Sequence, residues 1–205
     1  MGVTCFWVEE TGTARVGLRR YSKGGGCREE GGRNFHAAIL WLDTAPLGKV
    51  TEDGITHWGE PSFTYPDHAD PRWPAACGCG FAFPASDGPG RLQNWDEPLY
   101  RRTDTGELTT LRNAPDGAMW DAWWLPWKGP DGRSLEVICP GGGRWNIDGR
   151  ASNCGSPGDN EHRCWIRHGE PPALTVDKDG NTCVAGGGSI VAGDYHGFLR
   201  AGAFT

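Results

Sequence analysis

The chain has 205 residues and a formal net charge of −6, with 33 glycines, 15 prolines and 11 tryptophans against only two methionines. That much glycine and proline beside large rings describes short strands and tight turns, and it excludes a helical bundle. Its cations form no basic block, which excludes the clustered charge that sequence-independent nucleic-acid binding requires and makes nucleic acid an unlikely partner.

Residues 1–10 carry neither a cationic segment nor a long apolar one, and nowhere do about 18 apolar residues run together. The expectation is a soluble, intracellular protein with no membrane partner. Residues 4–8 and 14–21 are β-rich runs joined by a polar stretch and read as an opening hairpin. The glycine-rich stretch 22–34 reads as a flexible loop, and Cys27 and His36 around its end offer a second half-site for a metal. Residues 35–42 form an apolar run without helix caps, a buried strand, and residues 55–58 a weaker one.

From residue 60 to 73 the chain is a loop of Pro, Asp, His and aromatics that delivers Cys77-Gly78-Cys79-Gly80. One residue between two thiols closes too small a ring for an easy mutual disulfide, so each sulfur needs another partner. Downstream, Cys154, His162, Cys164, His168 and Cys183 lie within a short span, and any two would complete the four N/S ligands that zinc prefers. His57 and His68 flank the knuckle and read as surface histidines. Eight cysteines in a chain without a secretory signal favour metal or free thiols over a disulfide framework. Cys154 and Cys183 bridging each other is the competing arrangement. Cys5 and Cys139 sit in apparent strands and read as inert buried thiols.

Residues 99–102 and 107–111 read as another hairpin. Met119 to Trp127 then holds four tryptophans, either a stacking platform for bases or sugars or the thick core of a β protein. Residues 134–139 and 144–147 flank Pro140-Gly141-Gly142-Gly143 as the clearest hairpin, and 173–176 with 182–185 as a second. Asp-Gly pairs at Asp53, Asp87, Asp116, Asp131, Asp148 and Asp179 punctuate the chain with turns. Gly186-Gly187-Gly188 lacks the residues of a phosphate loop and reads as a turn. Ser189 follows it, and His196, seven residues on, is positioned to return across a tight turn as its base.

Cys77-Gly78-Cys79-Gly80, Ser189-Ile190 and His196-Gly197-Phe198-Leu199-Arg200-Ala201-Gly202 together resemble a bacterial family of small zinc-containing proteins encoded beside ubiquitin-like conjugation genes and regarded as peptidases. The resemblance covers about a third of the chain. It implies Cys77 and Cys79 as metal ligands, Ser189 as nucleophile and His196 as ligand or base. Gly188 stands where the family has Pro, and Gly193 where it has a cysteine, so one ligand is missing, for which Cys154, Cys164 and Cys183 are substitutes. The chain also resembles uncharacterised proteins of actinobacterial bacteriophages at residues 70–74, 117–120 and 162–165.

The combined expectation is a mainly β single domain of short antiparallel hairpins around a Trp-rich core, with few short helices and an inserted Cys/His-rich lobe at 150–185. One zinc site ties Cys77 and Cys79 to ligands among Cys154, His162, Cys164 and Cys183. The expected function is a phage-encoded, zinc-stabilised accessory protein of the host cytoplasm or virion, with a Ser189–His196 peptidase-like hydrolase site and a protein substrate or partner. The alternative is a noncatalytic virion structural, decoration or partner-binding module.

Overall fold

The computed structural model describes residues 2–67, 69–84, 94–155, 162–181, 183 and 189–205. Regular structure among them is entirely β, and no helix is long and apolar enough to cross a membrane. The strands are β1 (Phe6–Cys27), β2 (Arg33–Pro46), β3 (Lys49–Glu52), β4 (Ile55–Trp58), β5 (Asn94–Arg102), β6 (Leu108–Thr110), β7 (Ala118–Asp121) and β8 (Leu135–Ile138). After them come β9 (Arg144–Asn146), β10 (Ile166–His168), β11 (Thr175–Asp177), β12 (Ile190–Ala192), β13 (Tyr195–Gly197), β14 (Leu199–Arg200) and β15 (Ala203–Phe204). The chain forms two compact units, one of Met1–Thr11 with Tyr100–Thr205 and one of Gly12–Leu99.

In the first unit β1 starts beside β7 in parallel, with Phe6 opposite Ala118, and β7, β8 and β9 continue as an antiparallel meander. Successive side chains of a strand point to opposite faces. Cys5, Met119, Leu135 and Val137 therefore join a core with Leu174, Val176, Ile190, Leu199 and Phe204, while Phe6, Val8, Ala118, Trp120 and Ile138 join a second with Tyr100. Apolar cover on both faces is why Ala118, Met119 and Trp120 are all fully buried. Residues 150–185 contribute Leu174 and Val176 to the first of these cores through β11, which pairs with β10 and β14.

In the second unit β1 pairs with β2 in antiparallel register from Thr13 opposite Pro46 to Cys27 opposite Arg33, with irregularities between Arg15 and Gly17 and between Lys23 and Cys27. Val16 and Leu18 meet Leu40, Ala45 and Trp73 in the core beneath this hairpin. Arg20 Nη1 of β1 donates to the Pro74 carbonyl at 2.9 Å, which pins the irregular chain there to the strand, and within that chain Trp73 Nε1 donates to the Asp67 carbonyl at 2.9 Å. β3 and β4 close through Asp53 and Gly54, both at positive φ (51° and 77°), the geometry that an Asp-Gly hairpin turn demands.

Three sequence expectations change. The opening hairpin is one strand, β1, because its two halves find different partners, β7 and β2, rather than each other. The flexible loop at 22–34 is largely strand: Lys23 pairs with Phe35 and Cys27 with Arg33, and only residues 28–32 turn, since glycine in an extended segment keeps the donor and acceptor a ladder needs. Residues 173–176 pair with β10 and β14, and residues 182 and 184–185, their expected partners, lie outside the described residues, as do His68, the Asp87-Gly88 turn and the Gly186–Gly188 turn.

Gly117, of the Asp116-Gly117 turn, sits at a φ of 89°, and a Cβ there would fall on the Thr4 carbonyl oxygen. Gly117→Ala is expected to destabilise the protein by about 2–3 kcal/mol, read as a lower urea midpoint with an unchanged m-value.

Candidate metal centres

The knuckle is a tight reversal. Cys77 N–H donates to the Phe81 carbonyl at 2.9 Å, Gly80 N–H to that of Cys77 at 2.8 Å, and Phe83 N–H to that of Ala75 at 2.9 Å. Its two sulfurs emerge on the end of the β1–β2 hairpin, where Cys27 closes β1 and His36, opposite Ser22, leads β2 back past it. Cys27, His36, Cys77 and Cys79 thereby present four ligand atoms within 4.8 Å of one another. Cys27 Sγ lies 3.6 Å from Cys77 Sγ, and His36 Nδ1 lies 3.1 Å from Cys79 Sγ. The His36 ring stacks on Phe81 at 4.0 Å between centroids and 2° between planes, which fixes the direction of its nitrogen.

The second group belongs to the other unit: Cys154, His162, Cys164 and Cys183, again within 4.8 Å. His162 Nε2 is 3.1 Å from Cys154 Sγ and 3.4 Å from Cys164 Sγ, and Cys183 Sγ is 3.9 Å from Cys154 Sγ. Cys164 is buried, and the next residue, Trp165, packs edge-on against Trp145 at 5.5 Å, so the ligand is anchored to the core. Asn181 Nδ2 donates to the Cys164 carbonyl at 3.3 Å and holds the loop that carries Cys183.

These spacings suit a cation better than a covalent bridge. A disulfide needs about 2.05 Å between sulfurs, whereas two thiolates about 2.3 Å from one tetrahedral ion stand about 3.8 Å apart. All eight cysteines are free thiols, and the observed 3.6 and 3.9 Å separations lie near that tetrahedral edge.

Backbone amides offset part of the burial of these sulfurs. Burial pushes Cys27 up, against the backbone amides of Glu30 and Glu29, while Cys77, also desolvated, is held below its ordinary value by the Cys79 amide, the Cys27 thiol and the Ala37 amide. A cation held by these sulfurs would displace their protons. Cys164 is pushed up to about 11 by burial and by the neighbouring Cys183 and Cys154, with the Ala151 amide opposing.

The expected single centre is therefore two. Cys77 and Cys79 meet Cys27 and His36, not ligands from Cys154 to Cys183, because the β1–β2 register and the Arg20–Pro74 bond bring the hairpin end to the knuckle. The four downstream candidates assemble with one another. His168 stands outside both groups, its Nε2 3.0 Å from Asp177 Oδ1 in an exposed pair, and His57 Nδ1 donates to the Trp58 carbonyl at 2.9 Å. Cys27 and His36 were legible only as a half-site; the signal that completes them is Gly31-Gly32, which folds the two arms back so that the histidine returns toward the thiol.

Ser189 and His196 do meet. Ser189 Oγ lies 2.9 Å from His196 Nε2 across the β12–β13 hairpin, where His196 is paired with Val191. His196 is exposed and Val191 is 69% exposed, so the pair stands at an open surface. The tryptophan quartet divides: Trp120 is buried core, Trp123 meets Trp124 edge-on at 5.4 Å, and Trp127 is half-buried. No protein-family model, curated protein or solved structure matches this chain.

Cys5 and Cys139 are buried in the core and desolvation pushes each up to about 12. After metal removal by a chelator, iodoacetamide at neutral pH should label exposed Cys79 first, part-buried Cys154 and Cys183 next, and Cys5 and Cys139 only on unfolding, as peptide mass spectrometry would show.

Proposed function

We propose that the protein is a noncatalytic, zinc-stabilised binding module for a protein partner, with a structural ion at each Cys3His group. The observation that carries this reading is that each group offers four protein ligands. A tetrahedral ion so held keeps no position for water or substrate, which is the mark of a structural rather than a catalytic site. Three thiolates and one imidazole favour zinc over the oxygen-seeking cations. The phage-encoded origin, and with it a place in the virion or the host cytoplasm, is supported only by the sequence resemblance at residues 70–74, 117–120 and 162–165.

Protein purified without added metal should carry about two zinc ions per chain by elemental analysis. Cys77→Ala and Cys154→Ala should each remove one, and the double variant both. Retention of full zinc by either single variant would overturn the assignment.

The 2.9 Å Ser189–His196 bond favours a second reading, a peptidase-like hydrolase. A hydrogen-bonded base activates a serine, but acyl transfer also needs a pocket and oxyanion donors. The exposed setting supports the noncatalytic module, so a fluorophosphonate probe should leave Ser189 unlabelled. Labelling that disappears in both Ser189→Ala and His196→Ala would establish the hydrolase instead.

A further inference from the structure

The two Cys3His groups differ in what solvent reaches. Cys79 is exposed, whereas Cys27, Cys77 and His36 beside it are buried. The other group holds no exposed thiol, since Cys164 is buried and Cys154 and Cys183 are half-buried. A dissolved oxidant therefore meets Cys79 before any other clustered sulfur. Cys79 is also the least fixed ligand of its group. It sits between Gly78 and Gly80, the latter at a φ of 92°, on the tip of the knuckle. Cys27 is held in the β1–β2 ladder opposite Arg33, Cys77 by its N–H bond to the Phe81 carbonyl, and His36 by its stack on Phe81. Cys77 is a poor disulfide partner for Cys79, because one intervening residue closes a strained ring. Cys27 comes from a different strand and carries no such constraint, and its sulfur lies within 4.8 Å of the other ligand atoms of the group.

We infer that Cys79 is a site of oxidation by hydroperoxides, resolved by Cys27, and that the reaction empties the knuckle metal centre before the Cys154 one. An accessible thiolate with a resolving cysteine beside it is the arrangement that such oxidation selects. The Cys79 thiolate attacks the peroxide: an S–O bond forms, the O–O bond breaks and hydroxide leaves, giving a sulfenic acid. The Cys27 thiolate then attacks that sulfur: an S–S bond forms, the S–O bond breaks and a second hydroxide leaves. Two thiolates and one peroxide become one disulfide and two hydroxides, the sulfurs giving up two electrons and the peroxide taking them. The disulfide removes two of the four ligands, and Cys77 with His36 alone does not complete the tetrahedral shell of a structural site. A thiol reductant reverses the bond and restores the ligand set. The release of metal rests on the structural-ion reading above; the cross-link does not.

The test treats the full chain, as purified, with hydrogen peroxide. Released zinc is read with a metallochromic dye, sulfenic acid is trapped with dimedone, and thiols and cross-links are mapped by peptide mass spectrometry. About one of the two ions per chain should leave first, with dimedone on Cys79 and a Cys27–Cys79 cross-link among the products. Dithiothreitol with added zinc should restore the starting count. Cys27→Ser should leave the sulfenic acid at Cys79 trappable but unable to close the bridge. Loss of both ions together would overturn the inference, and so would Cys79 and Cys27 remaining free thiols while another cysteine oxidises. The wild-type map decides the matter even where the variant fails to fold. The zinc count before peroxide tests the structural-ion reading by itself, and the cross-link is read with or without an ion bound, so the two failures are distinguishable.

Discussion

Among the described residues, irregular stretches in each unit converge on a place where three sulfurs and one imidazole nitrogen point at the same small volume. Chain as poor in regular structure as residues 59–84 cannot hold its shape by a sheet ladder. It is held where Cys77 and Cys79 meet Cys27 and His36, by the Arg20–Pro74 bond, and by Trp73 inserted beneath the β1–β2 hairpin. The loops that carry Cys154, His162, Cys164 and Cys183 rely on the same device. A structural zinc in a small peptide contributes on the order of 10–16 kcal/mol, which equals or exceeds the whole net stability of an ordinary domain, about 5–15 kcal/mol. Ions at these two points would therefore decide whether the loops fold at all.

The strands supply the rest. In the first unit the same β1, β7 and β8 residues that alternate in sequence divide between two cores, so a short meander is buried on both faces. That burial gives Trp165 a fixed partner in Trp145, and through it a fixed position for the Cys164 ligand. The His162 carbonyl that receives Arg150 and Arg163 belongs to one of the candidate ligand residues.

The β class was legible because its signals are local. Glycine and proline at regular intervals, Asp-Gly pairs, and alternating apolar residues act within a few positions of the chain, and the 134–147 hairpin forms as its Pro-Gly-Gly-Gly turn directs. The Cys77-Gly78-Cys79 knuckle was legible for the same reason. Its partners were not, because Cys27 and Cys77 are fifty positions apart, and nothing in either segment encodes the other. The eye is drawn instead to the denser Cys/His run downstream, which turns out to satisfy itself.

The sequence by itself determined the candidate ligand types and the turns that let the backbone bend around them, since thiol chemistry and glycine conformation need no neighbours. Tertiary structure alone decided which candidate ligands share a centre and that Trp120 packs while Trp127 is half-buried. Those outcomes depend on strand register, and register is set by how apolar faces from distant segments fit together, not by any one of them.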